Sequence, residues 1–566
     1  MKNSIKRTHS YVWQVIGAIC CMAILTSSCH KSFLDEKPLD RFSPENLLVD
    51  SAGFEAAEVA LYQAVREEYA LGGANFDYMN LGTDIVIWGR ADSRGFNDYT
   101  LVNAQSDFAK LYWDWGYTDV IRQANLVLDN LDQEGVTLTP TAKTYFAGGA
   151  RFFRAYTYNV LYDLYGGVPI VLHQILTPKF DFQRASKEAV LRCIIADLAL
   201  AGRSLPVVQA TSDGRIYKAA AYHLLTEVYI KLAMETANAT YYDSAIASAT
   251  KVIDGTAGHY QLMTERFGDL SRPGDVFSDL FWTNQQNRAS GNLEVIWSVQ
   301  YESFTLGGAS STGGNRAIRL WEPEFDKITT PNGIANINSD SLQRGIGVMC
   351  PTNYLKYDIW QDDPGDMRNS RYNIRRVYYY SNPEDAEYYG RPIKTGLDGK
   401  GNLVVLDKNG KPTTQVLDTT REYYPWIRKF DGLPFNDNVV NGQTANDVIK
   451  MRLAETYLLR AEAYYRKGEP ASAARDINTV RDRAHAHQIA AGDVTLDFIL
   501  DERARELLGE EPRRRTLARM GQLYDRVKRY NPRCASTIQP FNERWPIPQS
   551  VIDANTAAVI EQNKGY

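Results

Sequence analysis

The 566-residue chain has few of the features that usually declare a function. Cysteine is scarce, six in all. Cys20, Cys21 and Cys29 crowd the N-terminus, leaving Cys193, Cys350 and Cys534 far apart. That spacing excludes a disulfide framework and a CxxC metal pair, and the three read as buried thiols. Histidine is also rare, at seven. The one close pair, His485 and His487, would point to different sides of a helix, so a shared metal is not expected. No apolar run beyond the N-terminal one is long enough to cross a bilayer. There is no basic stripe either. Net charge is −5, and the first 28 residues carry Lys2, Lys6 and Arg7 and no acid, so removing them gives −5 − 3 = −8. Such a chain is a poor nucleic-acid binder.

What the chain does have is aromatic residues: 35 Tyr, 20 Phe and 10 Trp. Tyrosine joins a flat apolar face to a polar tip, which suits a wet gripping surface. The N-terminus sets the compartment. Lys2, Lys6 and Arg7 precede the apolar run Tyr11–Leu25, too short to span a bilayer comfortably but typical of a secretory signal. LTSSC follows, ending at Cys29, and resembles a lipoprotein cleavage box with Thr26 where Leu is usual. The reading is a signal over residues 1–28 and a body over 29–566 held to a membrane by acyl chains on Cys29.

Helical spacing recurs along the first half: Ala57, Leu61, Ala64 and Val65, then Val120, Ala124, Val127, Leu128 and Leu131. A long helix is predicted over 141–165, stopped by Gly166, Gly167 and Pro169. Others are predicted over 187–205, 216–234 and 243–254. From 255 to 445 the texture becomes rich in Gly, Asn, Pro and Asp, with strand-like runs such as EVIWSVQY and a hairpin around Asp407–Gly410. Helices return over 447–467, 470–485 and 496–508. The fold class is therefore mainly α, a helical scaffold over 29–254 and 446–566 that carries a long irregular, short-stranded excursion over 255–445. An internal repeat supports a tetratricopeptide-like body. LLTEVYIKLA (Leu224–Ala233) matches LRAEAYYRKG (Leu459–Gly468), and Asp243–Ile253 matches Ala471–Arg481. The offset falls from 235 to 228, which predicts a turn seven residues longer in the first copy.

Catalytic signatures are few. The Gly307–Gly314 tract contains no G-x-S-x-G and reads as a loop. Asp407–Gly410 begins like a calcium loop, but Lys411 stands at a ligand position and no closing Glu follows. Glu502 and Glu506, in LDERARELLGEEPRRR, read as helix-surface ion pairing rather than a catalytic pair. The tryptophans divide by context. Trp113, Trp115 and Trp297 read as packing, and Trp545 as a pin for the C-terminal tail. Trp88, Trp282 and Trp321 lie among polar loop residues. With Asp84, Arg90 and Asn97 they are candidates for a sugar-binding face, because exposed rings stack on sugar C–H faces while polar neighbours hold hydroxyls.

Five segments taken together resemble the SusD/RagB-like outer-membrane nutrient-binding lipoproteins of Bacteroidetes. They are Cys29 followed by FLDEKP, NVLYDLYGGVPIVL (Asn159–Leu172), Met451–Ala484, ERARELLGEEPRR, and WPIPQSVIDANTAAVIEQNKGY (Trp545–Tyr566). The resemblance implies a non-enzymatic, surface-exposed lipoprotein; from the residues themselves no metal site or cofactor is expected. Such a protein captures oligosaccharide or polysaccharide and passes it to a SusC-like TonB-dependent transporter. Stacking by Trp88, Trp282 and Trp321, with hydroxyls oriented by Arg90, Asp84 and Asn97, is the expected mechanism. Capture of peptide, a surface glycosidase and a protein-only tetratricopeptide adaptor are the alternatives.

Overall fold

The computed structural model describes residues 47–71, 76–90, 96–209, 214–339 and 342–566. Cys29, the apolar N-terminal run and the FLDEKP lead lie outside the described residues. Among the described residues no helix is long and apolar enough to cross a membrane.

Helix α1 (Ser51–Arg66) starts where Asp50 accepts hydrogen bonds from the amides of Ala52 and Gly53, a side-chain cap on two otherwise orphan donors. It buries Ala57, Leu61 and Val65, as their spacing predicts. Two helices, α2 (Asp107–Asp114) and α3 (Arg122–Asn130), are joined by a π-helical stretch, Trp115–Ile121. Next, α4 (Pro140–Tyr165) opens with Thr139 capping and Pro140 in the first turn, and stops at Gly166 in the positive-φ region. This is the stop expected of that glycine. Helices α5 (Lys187–Ser204), α6 (Lys218–Thr236) and α7 (Thr240–Ile253) follow. After the excursion come α8 (Leu453–Lys467), α9 (Pro470–Arg483), α10 (Leu496–Glu506), α11 (Arg513–Arg519) and α12 (Leu523–Tyr530).

Neighbours pack in chain order from α4 to α7, and α8 then stacks directly on α7. The two repeat copies are therefore adjacent in space although some two hundred residues separate them. Hairpins of this kind bury an apolar stripe only by stacking on one another. The extra length of the first copy is not a longer turn. It lies mainly in the helix: α6 has 19 residues and α8 has 15, and the joints are 237–239 and 468–469. Both first helices end on a left-handed residue, Ala237 in one copy and Gly468 in the other.

The strands are short and paired in small antiparallel sets. β1 (Val86–Trp88) pairs with β3 (Met349–Pro351), and β2 (Val295–Val299) pairs with β9 (Val448–Arg452). β4 (Ile374–Arg375) pairs with β8 (Trp426–Ile427). β5 (Thr395–Leu397), β6 (Leu403–Leu406) and β7 (Pro412–Val416) form the remaining sheet. The β6–β7 turn is the expected hairpin, with the Gly410 amide donating to the Asp407 carbonyl at 3.0 Å. One boundary differs from expectation: Val448–Arg452 is strand, and the helix begins only at Leu453. The apolar pattern there serves β2 before it serves the helix stack.

Trp297 is core, with its ring edge-on to Phe152 and Tyr156 at 5.5 and 5.6 Å. Trp113 and Trp115 are buried. Trp545 pins the tail: its amide donates to the Leu164 carbonyl and its ring packs against Phe108 at 4.7 Å. Cys350 and Cys534 are buried thiols, while Cys193 is half-buried.

The Glu502–Glu506 segment corrects the surface reading. Both carboxylates are fully buried. They belong to one charge-balanced cluster, with Arg368, Arg452, Arg481, Arg483, Arg505 and Lys429 set against Glu294, Asp363, Asp366, Glu502, Glu506 and Glu510. Lone helix-surface pairs would contribute only tenths of a kcal/mol; buried pairs matter because neither partner can be removed alone.

Glu322 is a contrasting case. It is fully buried, and neither carboxylate oxygen has a hydrogen-bond partner. Burial drives its acidity constant well above the ordinary value, a rise that Arg375 only partly opposes. A carboxyl that stays protonated in the fold but ionises at its ordinary value of 4.5 when unfolded makes stability fall as pH rises above that value. Glu322→Gln should therefore melt about 1–2 °C higher than the parent at pH 8 and level with it near pH 4 by calorimetry. A gap that does not change with pH would show that Glu322 is ionised in the fold.

Candidate functional site

The six residues proposed from sequence do not form one exposed surface. Trp88 ends β1, is 4% exposed, and lies opposite Met349 in the ladder. Trp321 is 1% exposed and packs against Phe430 at 5.4 Å. Neither offers a free face, so the expectation that both stand as stacking planes is corrected. Each belongs to a short element whose apolar side turns inward, and flanking polar residues hid this in the sequence. Asp84 is fully buried and takes a bidentate pair from Arg513 at 2.7 and 2.9 Å and a further bond from Arg526 at 2.7 Å. Its carboxylate is committed to the scaffold. The side chain of Asn97 accepts from the Trp88 amide at 3.1 Å, bracing β1. Arg90 is half-buried, and its carbonyl takes a bond from Arg533. Trp282 alone among the three tryptophans keeps part of its surface, and Arg272 covers one face with its guanidinium 3.2 Å from the ring centroid.

An open polar cleft of about 580 Å³ lies elsewhere in the excursion, lined by Thr312, Gly313, Arg316, Arg319, Phe435, Asn436, Asn438, Asn441 and Gln443. Its two walls are far apart in sequence and are held by backbone pairing. Asn315 exchanges both backbone bonds with Thr444 at 3.0 and 2.9 Å, and Gln443 reaches the Thr312 carbonyl at 2.8 Å. Glycine is required where the walls touch. A Cβ on Gly314 would meet the Phe435 ring at 2.5 Å, and one on Gly442 the Arg344 carbonyl at 2.2 Å.

Arg316 and Arg319 reach this cleft because the short helix Ala317–Trp321 buries Ala317, Ile318, Leu320 and Trp321 on its other side. Three residues apart, the two arginines share a face. Arg319 donates to the Asn441 carbonyl at 2.8 Å, while the Nε atoms of both arginines are buried without a partner. Burial first, then Arg344 and Arg316, hold the Arg319 guanidinium below its ordinary value. At the rim, Phe304 is 75% exposed and its amide donates to Asn436 Oδ1 at 2.8 Å. Phe304, Asn436 and Asp437 all have positive φ, 58°, 53° and 57°. Asparagine and aspartate tolerate this region, but for phenylalanine it is a costly conformation, of the kind that gathers at ligand sites.

Sequence reasoning missed this arginine pair. The signal available was Arg-x-x-Arg in NRAIRLWEPE, which gives two cations three residues apart without saying what they face. In the structure the helix ends at Trp321, and Glu322 turns inward in extended backbone. Chemically, the cleft can donate and accept through amides, present two cations, and stack an apolar face on Phe304.

The chain was compared with known proteins. A profile of the SusD family matches residues 293–566, and one described as starch-binding, associating with outer membrane, matches residues 32–230. SusD-like protein P25 from Formosa agariphila is 24% identical over 98% of this chain and 98% of its own length. Starch-binding protein SusD from Bacteroides thetaiotaomicron is 24% identical over 87% of this chain and 85% of its own. A solved laminarin binding SusD-like protein shares the fold with a TM-score of 0.65 at 21% identity, covering 92% of this chain and 100% of that one.

Proposed function

Because the chain belongs to the SusD family, we propose that it is a glycan-binding protein of the outer-membrane surface that captures oligosaccharide and hands it to a SusC-like TonB-dependent transporter. Acyl chains on Cys29 would hold it there. The family match over both halves of the chain carries this reading, and the open cleft supplies the chemistry. Sugars present C–H faces to a stacking ring and hydroxyls to amides. Phe304 gives an exposed ring on a loop tied by its amide to Asn436, and Asn436, Asn438, Asn441 and Gln443 line the cleft. Binding of this kind needs no catalysis. Glu502 and Glu506 could not supply a general acid in any case, because their arginine partners keep both carboxylates ionised despite burial, Glu502 at about 2.

Calorimetry against oligosaccharides of several linkages, with a peptide mixture alongside, tests the reading. Phe304→Ala should weaken the bound glycan about tenfold, roughly 1.4 kcal/mol, and leave the melting temperature unchanged because the ring is exposed. An unaltered affinity would sink the placement at this cleft. Retention of peptide with no response to any glycan would move the protein to peptide capture.

A further inference from the structure

Most buried arginines of the molecule are paired with acids; Arg288 and Arg514 are not, but each is closed in against a backbone carbonyl and an aromatic ring, whereas Arg316 and Arg319 line an open cleft. Arg154, Arg368, Arg452, Arg513, Arg515 and Arg519 each lie within 3.0 Å of a carboxylate. Arg316 and Arg319, half-buried with Nε atoms sealed from water, have no carboxylate within ion-pair distance among the described residues. Arg344 adds a third cation close enough to Arg319 to be felt there. Asp437 sits on the same loop, yet it pairs with none of the three. Like charges held together at partly dry sites repel, and an anion in the cleft would relieve that repulsion while accepting charge-assisted hydrogen bonds. A neutral sugar would leave the repulsion as it is.

We propose that this cleft selects saccharides carrying an anionic group, a carboxylate or a sulfate, which docks on Arg316 and Arg319 while the amides of Asn436, Asn438 and Gln443 hold neighbouring hydroxyls. This rests on the glycan-capture reading above and narrows it to a substrate class. The guanidinium fork suits either anion, since both present two coplanar oxygens.

The test is calorimetry of the full chain in detergent with four probes: hexagalacturonate, a chondroitin sulfate hexasaccharide, maltohexaose and laminarihexaose. At least one anionic probe should bind about tenfold or more tighter than the neutral two, and its affinity should fall as salt is raised from about 50 to about 500 mM. Arg316→Gln with Arg319→Gln should remove that preference by lowering the anionic affinity about tenfold or more, toward the neutral value. A response to hexagalacturonate assigns the carboxylate; chondroitin sulfate carries both groups, so binding that is lost with its desulfated form assigns the sulfate. Neutral probes binding as tightly as the anionic ones, or an anionic affinity indifferent to the double substitution, overturns this inference and leaves glycan capture standing. Silence of all four probes overturns it as well, and counts against glycan capture itself. The comparison of probes on the unsubstituted protein is decisive even if the double variant folds poorly.

Discussion

Asp84→Asn is expected to lower the unfolding free energy by about 3 kcal/mol in urea, the lower end for breaking a buried ion pair. The substitution keeps the shape and removes the charge. Arg513 then retains Glu511 at 3.0 Å, and Arg526 retains Asp501 at 2.7 Å, so neither is left bare. Burial alone would raise the Asp84 acidity constant, but Arg513 and Arg526 outweigh it and bring it down to about 2 from 3.8. The folded value lies below the unfolded one, so the stabilisation is complete above about pH 4 and is lost as pH falls toward 2. That linkage amounts to about 2 kcal/mol at neutral pH. The deficit of the variant should therefore be full at pH 6 and shrink markedly by pH 2.5. Glycan affinity per folded molecule should be unchanged. A weakened affinity with normal stability would return Asp84 to the ligand role expected from sequence.

Glu506→Gln is the second large effect, again about 3 kcal/mol or more. Glu506 is bonded to Arg452 at 2.5 Å, to Arg368 at 2.9 Å and to Arg483. These arginines, and Arg452 from β9 among them, join the C-terminal helices to the excursion. Their fields keep Glu506 far below the ordinary carboxylate range in spite of its burial, so the loss should persist to quite acid pH. The sharper measurement is a double-mutant cycle with Arg483→Met. Removing an arginine together with the glutamate restores charge balance, so the double variant should be more stable than the sum of the single losses predicts. Simple additivity would mean that the cluster does not act as one balanced unit.

These two sites show what could and could not be read from the chain. Helix positions followed from apolar spacing and stop signals because those are local properties; Gly166 and the α1 stripe needed no tertiary knowledge. The stacking of α8 on α7 was implied by the repeat. Burial of polar-flanked residues was not legible. Asp84 meets Arg513 and Arg526 from the far end of the chain, and nothing in DIVIWGRADS announces a partner more than four hundred residues away. Trp88 and Trp321 were misplaced for the same reason: three-residue and five-residue elements bury their apolar side without leaving a period to detect. The arginine pair was visible as letters, but the face it presents depends on where a single helical turn ends. Trp282 was placed at a surface that the structure keeps partly open.

The β2–β9 ladder has a further consequence. Val299 lies opposite Val448, so the chain leaves the helix stack and returns to it at one point, like a cassette seated in a single slot. Closing a loop of about 150 residues costs roughly 4 kcal/mol of chain entropy, and each doubling of its length adds only about 0.6. The slot is therefore nearly indifferent to how much chain it holds. Residues between its two ends that touch neither the helices nor β1, such as the β6–β7 turn, can be lengthened, shortened or exchanged for those of a relative without altering the path of the helices. The constraints on exchanging the rest are its ties to the scaffold: β3 on β1, the Met367 amide on the Ala484 carbonyl, and the charges of Asp363, Arg368 and Lys429.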